Sequence, residues 1–524
     1  MSQTYNVPVQ QQGQPQYQQN PYDQGPPSGP PPGPNGQNYD YESMEEGKPM
    51  NSDNFDEAFK VTKPKFNDWP FTIFFLLVVA GFVAVGGITL NALRETFDFQ
   101  GGGIYNSGNS FAMNTNTIIL FAFIIVLALV LAACVIIFAR LAPKFFITSG
   151  LILNVVFGIA TAIYYLAMKY YSAGIVFLVF TAITGFMYWR ARHRIPFSAA
   201  VLTIVIDVMK RYPSTLITSF FGLIIGSGFS VLFSVVIVGT YVKYDPNSNN
   251  EGCSVGGGSC SQGKLIGLLV FVFFAGYYIS EVIRNVIHVV ISGVYGTWYY
   301  LSGSDQGEPK HPALGSLKRA LTYCFGSICF GSLIVSLIQL LKGFLQMLRQ
   351  NAFGDGDYML GCLFLVIEFI VGFIEWLVQY FNHYAYCYVA LYGKSYVRSA
   401  KDTFDLLRFK GMDALVNDCF ISTSLNLYSM FVGYIVALLS YLYLRYTKPG
   451  YNDDGSFYAP VIAFAFLISG QITRIALVVI DSGVSTFFVA LAKDPEVFQM
   501  TNRDKFDEIF RSYPQVLQKI TSDH

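Results

Sequence analysis

The sequence predicts an all-α, polytopic membrane protein of about ten transmembrane helices, and three observations carry that prediction. About ten apolar stretches follow one another between Pro70 and Ala490, each near the ~20 residues a helix needs to cross ~30 Å of hydrocarbon with its backbone groups paired internally. Hydrophobic residues make up 53% of the chain and charged residues 13%, against about 25% charged in soluble domains. Lys and Arg are unevenly divided between alternate loops, as orientation in a bilayer requires.

The elements follow in chain order. Residues 1–66 are expected to form a disordered cytosolic tail. The first 48 are rich in Gln, Pro, Gly, Tyr and Asn, as in Gln10-Gln11-Gln12-Gly13-Gln14 and Pro30-Pro31-Pro32-Gly33-Pro34. Such a segment cannot bury enough apolar surface to offset its ordering entropy. Lys60, Lys63 and Lys65 then precede Trp69-Pro70, a basic and aromatic margin suited to the inner interface. No cleavable signal precedes this, and the first span reads as an uncleaved anchor. The predicted spans are 70–93, 117–139, 145–167, 173–189, 215–238, 265–301, 320–341, 359–391, 418–444 and 459–490. The transmembrane domain is thus 67–492, followed by a cytosolic tail, 493–524. Spans 265–301 and 359–391 exceed a perpendicular crossing and must tilt, bend or project beyond the bilayer.

With the N-terminus inside, the inner loops hold 15 Lys and Arg, among them Arg190, Arg192 and Arg194, and the outer loops hold 8, including Lys342 and Arg349. Both termini are therefore expected in the cytosol. Ile195–Tyr212 contains the apolar run Ala199–Ile206, but Asp207 interrupts it and cations flank it on both sides. An amphipathic helix on the cytosolic face is expected there, not an eleventh crossing.

The net charge is +0, so no global field points to nucleic acid. The chain has no P-loop, nucleophile elbow, H-E-x-x-H motif or dinucleotide fingerprint, and an enzyme is not expected. The five His are scattered and no C-x-x-C pair occurs, so neither metal nor other cofactor is expected. Cys253 and Cys260 share the Gly- and Ser-rich outer loop 239–264, where thiols oxidise, and a disulfide is predicted between them. The other six cysteines read as small buried apolar residues.

Ionisable residues inside spans are costly and usually face a cavity or a partner. Glu281 and Arg284 are spaced to pair on one helix face, and Arg474 and Asp481 also share a face. Glu368 and Glu375 share a face of a span that contains no cation, which makes them the stronger candidates for a cation site. Trp376, Tyr380 and Tyr384 lie near them, and Tyr277 lies near Glu281. A carboxylate among aromatic faces is how proteins hold quaternary ammonium groups. Asn382-His383 follows as a polar pair at a helix break or an interface. Trp298-Tyr299-Tyr300 reads as interfacial belt. The glycines around Phe325-Gly326-Ser327 and Phe330-Gly331-Ser332 read as close-packing points, with a hinge as the alternative.

Phe381-Asn382-His383-Tyr384-Ala385-Tyr386, then Ala390-Leu391-Tyr392-Gly393-Lys394 and Ser399-Ala400-Lys401, leading to Phe404-Asp405-Leu406-Leu407, resemble the choline-transporter-like family. Phe330-Gly331-Ser332-Leu333-Ile334 and the segment from Asp481 to Asp494-Pro495-Glu496 are similar to further signatures of that family. The resemblance covers the membrane region, most clearly 264–500. The tail and the short first outer loop, 94–116, look most like its fungal branch, the pH-nine-sensitive proteins. The resemblance implies a multi-pass plasma-membrane carrier with an even number of spans, and a small-molecule solute, choline or a related organic cation, as its partner beside the membrane lipids. The site expected from the residues comprises Glu368, Glu375, Trp376, Tyr380, Glu281, Tyr277, Asn382 and Asp481. A scaffold or sensor that transports nothing is the alternative function.

Overall fold

The computed structural model describes residues 65–96, 115–244, 260–302, 307–409, 419–447 and 458–511, with a few isolated positions between them. The expected tail up to residue 64, most of the first outer loop and Cys253 of the expected disulfide lie outside the described residues. Among the described residues the structure is helical, with no strand. Among the described residues, ten helices are long and apolar enough to cross a membrane.

The spans are α1 (Trp69–Thr96), α2 (Thr115–Leu141), α3 (Pro143–Ala167), α4 (Tyr171–Arg190), α6 (Ser214–Tyr244), α7 (Gln262–Leu301), α9 (Phe325–Gly354), α10 (Tyr358–Tyr392), α12 (Ile421–Thr447) and α13 (Tyr458–Lys493). Between them lie α5 (Ile195–Arg211), α8 (Pro312–Leu321) and α11 (Tyr396–Phe409), and after them α14 (Pro495–Thr501) and α15 (Arg503–Phe510). The end at which α1 begins and α13 finishes is called proximal below; the opposite end is distal.

Local sequence explains the boundaries. Pro opens α3, α5, α8 and α14 at their first turns, where the missing N–H has no intrahelical partner to lose. The Ser261 hydroxyl accepts from the Lys264 N–H and the Asp357 carboxylate from the Leu360 N–H, capping α7 and α10. Gly393 closes α10 at φ 60°, a left-handed stop that only glycine takes without cost.

Two elements go further than the sequence reading. Helix α5 is the amphipathic helix the sequence predicts, but its apolar face covers protein rather than lipid. Val201, Leu202, Val205 and Ile206 are buried, packed with α3, α13 and α15, and the Tyr295 hydroxyl donates to the Val205 carbonyl at 3.0 Å. The C-terminal segment is also folded in part. Phe498 of α14 stacks on Tyr299 and meets Phe487 edge-on, and Phe506, Ile509 and Phe510 of α15 are buried. Trp298-Tyr299-Tyr300 is therefore an anchor for this segment more than an interfacial belt.

At the centre stands α7, packed against α1, α6, α9, α10 and α13. Its 40 residues give it a length of about 60 Å, so it projects beyond a bilayer, as its overlong apolar run predicts.

Candidate functional site

Glu281, Asn285, His288 and Ser292 recur along α7 at intervals of four, three and four, which sets them on one helix face. All four are buried. Polar groups without water must find partners in protein, and α9, α10 and α13 supply them. The Asn285 side-chain amide donates to Ser332 Oγ at 2.9 Å and to Tyr386 Oη at 3.4 Å. His288 Nε2 lies 2.8 Å from the His383 carbonyl, and His288 Nδ1 lies 2.7 Å from Ser482 Oγ. A carbonyl only accepts, so Nε2 carries a proton, and a neutral ring accepts from Ser482 through Nδ1. Cys387 Sγ sits 3.6 Å from the same Nε2.

The His383 ring stacks on His288, with centroids 4.3 Å apart. Its Nε2 stands 3.6 Å from Asp481 Oδ2, and Asp481 Oδ1 accepts from Ser422 Oγ of α12 at 2.6 Å. His383 and Asp481 are 29% and 35% exposed, so the line begins in the packed core and ends at half-buried groups. At its other end Glu281 accepts from Arg284 at 2.7 Å and from Gln339 at 3.3 Å. A ladder continues distally between α9 and α10. Lys342 pairs with Glu375 at 3.0 Å and Arg349 with Glu368 at 2.8 Å, while Gln379 and Gln346 donate to the same two carboxylates.

That ladder corrects one expectation. Lys342 and Arg349 were expected in an outer loop, leaving Glu368 and Glu375 without cations. Instead α9 continues to Gly354, because Lys, Gln, Met, Leu and Arg are all good helix formers and charge alone does not end a helix. Its extra turns carry both cations to α10.

The remaining expected residues divide. Glu281 and Asp481 lie at the two ends of the buried line. Asn382 is buried and structural: its amide donates to the Gly331 carbonyl at 3.2 Å and its oxygen accepts from the Tyr396 hydroxyl, fastening α10 to α9 and α11. Trp376 is exposed and stacks on Tyr380, and Tyr380 meets Tyr384 edge-on, so these rings run along α10 itself. Tyr277 is half-buried beside Phe273. Arg474 is exposed, and no ion pair joins it to Asp481 among the described residues.

His288 and Asn285 were missed, although the α7 periodicity marks them, because scattered histidines do not reveal which will meet. Also unforeseen were the fastenings at the proximal end. Ser327 Oγ and the Tyr396 N–H both donate to Asp68, at 2.7 and 2.8 Å, and the Asn67 amide donates to the Gly393 carbonyl at 2.6 Å. Across the same corner, Tyr300 donates to Asp494 at 2.6 Å and lies 2.6 Å from Tyr392 Oη. The proximal end of α10 is tied down on both sides, beside the polar line. A Cβ on Gly326 would overlap the Asn67 and Asp68 carbonyls, and one on Gly331 would overlap Tyr386 and Tyr396, which makes both glycines close-packing points.

Residues 175–496 match the family model described as plasma-membrane choline transporter. The chain belongs to the choline-transporter-like family. The family's matched region runs from α4 to α14 and contains the whole polar line. Among relatives, the protein named PNS1 of Candida albicans is 74% identical over 91% of this chain and 92% of its own length. Its namesake in Debaryomyces hansenii is 72% identical over 91% and 93%. That of Saccharomyces cerevisiae is 54% identical over 93% and 90%. All three are fungal, in line with the branch that the sequence resembles, and none carries the name of an enzyme.

Proposed function

We propose that the protein is a secondary transporter that carries a small organic cation, choline or a close relative, across the plasma membrane, with its proximal end and both termini in the cytosol. The observation that carries this reading is the polar line from Glu281 to Asp481. It crosses four packed helices near the middle of a ten-span bundle, where each polar group is costly unless it serves a path or a partner. Carriers alternate access around such a midplane site. In this reading the fastenings at Asp68 and Asp494 hold the proximal side closed, and the half-buried His383 and Asp481 meet the solute. Glu368 and Glu375, with Trp376, Tyr380 and Tyr277, stand along the approach. The family's description and the inner-loop charge excess support the same assignment.

The test is uptake of labelled choline and other organic cations into proteoliposomes holding the purified full-length chain. Glu281→Gln and Asp481→Asn are each expected to cut uptake at least tenfold while leaving the protein monodisperse. If well-folded wild-type protein moves no organic cation, the transporter reading is wrong and the scaffold reading takes its place.

A further inference from the structure

Helices α5 and α8 both lie outside the spans, but they treat their apolar faces oppositely. Helix α5 buries its own against protein. In α8, Leu314, Leu317 and Leu321 recur at intervals of three and four, which sets them on one face, and they are 63%, 38% and 51% exposed. Pro312, Ser316, Arg319 and Ala320 are buried on the opposite side. There the Ser316 hydroxyl donates to the Val290 carbonyl at 2.9 Å and fastens the helix to α7. Leucines scattered singly on a surface are ordinary; a stripe of three on a helix of 10 residues calls for something apolar against it.

The position of α8 indicates what that is. The helix is too short to cross a bilayer, and the turn after it lies beside the start of α1. The Asn67 N–H donates to the Tyr323 carbonyl at 3.2 Å, and the Phe66 and Tyr323 rings stand 4.8 Å apart. The crossings of α1 and α9 begin just after these residues, at Trp69 and Phe325. Phe66 and Trp69 are 64% and 59% exposed, so apolar side chains of α1 and α8 are exposed together where the spans begin. Cations share the place. Lys65 before α1, Lys310 before α8 and Lys318 within it are exposed. Lys318 is one turn from both Leu314 and Leu321, on their side of the helix. Water alone leaves the leucines wet, and hydrocarbon alone strips the lysines of solvent. The membrane interface accommodates both, with apolar side chains at the acyl boundary and ammonium groups at the headgroups. The sign of the charge then selects anionic lipids.

We infer that α8 is a docking surface for anionic phospholipid, with Leu314, Leu317 and Leu321 at the acyl boundary and Lys310 and Lys318 at the headgroup oxygens. On the orientation proposed above the leaflet is the cytosolic one. The surface itself does not depend on which solute the protein carries.

The test is photolabelling of the full-length chain in liposomes by a phosphatidylserine analogue with a photoreactive acyl chain, against the matching phosphatidylcholine analogue, with the label mapped by peptide mass spectrometry. Peptides that contain α8 are expected to take the serine lipid in preference to the choline lipid, and the preference should fall as salt is raised. Each lysine near an anionic surface is worth about fivefold, so Lys310→Gln and Lys318→Gln are each expected to cut the preference by that factor. Lys401→Gln with Arg503→Gln removes equal charge from α11 and α15 and should leave it unchanged. Leu314→Ser with Leu321→Ser should lower labelling by both lipids; if that pair misfolds, the lysine variants carry the test. Equal labelling by the two lipids, or an equal loss in the α11 and α15 variant, overturns the inference. Displacement of the lipid by an equal concentration of glycerophosphoserine overturns it in favour of a small soluble anion. An α8 that neither lipid labels also overturns it, since a second copy of the chain, another protein or the N-terminal tail then covers the stripe.

Discussion

Helices α13 and α10 are almost equal in length, at 36 and 35 residues, and similarly apolar, yet the bundle uses them oppositely. In the most apolar window of α13, 78% of residues are buried; in that of α10, 6%. Hydropathy does not separate them, but the distribution of small polar residues does. Helix α13 presents Ser469, Thr473, Ser482, Ser485 and Thr486, all buried, and α10 presents Phe369, Ile370, Phe373, Trp376 and Leu377 to the outside. In a bilayer the lipid tails are as apolar as leucine, so the drive to bury a residue comes from packing. Small and hydroxyl-bearing residues allow backbones to approach, and bulky ones serve as well against lipid. The buried part of α10, Tyr384–Leu391, follows this rule only in part: Ala385, Cys387 and Ala390 are small, but Tyr384, Tyr386 and Tyr388 are buried between them, their rings packed in the bundle.

The largest expected effect tests that contrast directly. Phe488 of α13 is 1% exposed and Phe369 of α10 is 75% exposed. Phe488→Ala is expected to cost about 3–5 kcal/mol through the lost contacts and the cavity left behind. Phe369→Ala is expected to stay within about 0.5 kcal/mol. Thermal unfolding of the two variants in one detergent reads the difference. Equal losses would mean that α10 packs against protein on its distal face.

The contrast also shows where sequence is informative. The ten spans, the amphipathic helix at Ile195 and the overlong helices α7 and α10 follow from run length and flanking charge, which are local properties. The site is harder. Glu281 and Asp481 stand out because each is a charge in an apolar run. His288 and His383 lie 95 residues apart, and their stacking depends on how α7 and α10 cross. The cations opposite Glu368 and Glu375 were misassigned for a local reason: a hydropathy window ends at the first charges, whereas the helix does not.

A smaller effect sharpens the comparison on the distal side. If α10 is held there chiefly by its ladder with α9, the Lys342–Glu375 pair should be measurably coupled. A double-mutant cycle with Lys342→Met and Glu375→Gln is expected to give about 1 kcal/mol. Lys342 is 35% exposed, which discounts the pair toward the surface range, and Glu375 is 13% exposed, which keeps it near the upper end. Coupling indistinguishable from zero would leave the hairpin held by its apolar contacts alone.

The smallest effect belongs to the proximal side, where α5 and α15 brace the core. Asp207 of α5 lies 2.9 Å from Lys210 Nζ and 3.5 Å from Lys505 Nζ of α15. Partial burial pushes its carboxyl up, but the hydrogen bonds and charges of the two lysines outweigh this and hold it below its ordinary value of 3.8. A carboxylate that is more acidic in the folded protein stabilises the fold above the unfolded value, and the contribution disappears as pH falls through the folded one. Asp207 therefore contributes at neutral pH and loses its contribution below about pH 4. All three side chains are 40–45% exposed, so the expected size is only a few tenths of a kcal/mol. Melting curves of wild type and Asp207→Asn should differ slightly at about pH 6 and converge toward about pH 3. A gap that stays constant with pH would assign any effect of the substitution to packing of α5 and remove the charge contact from the bracing of the proximal end.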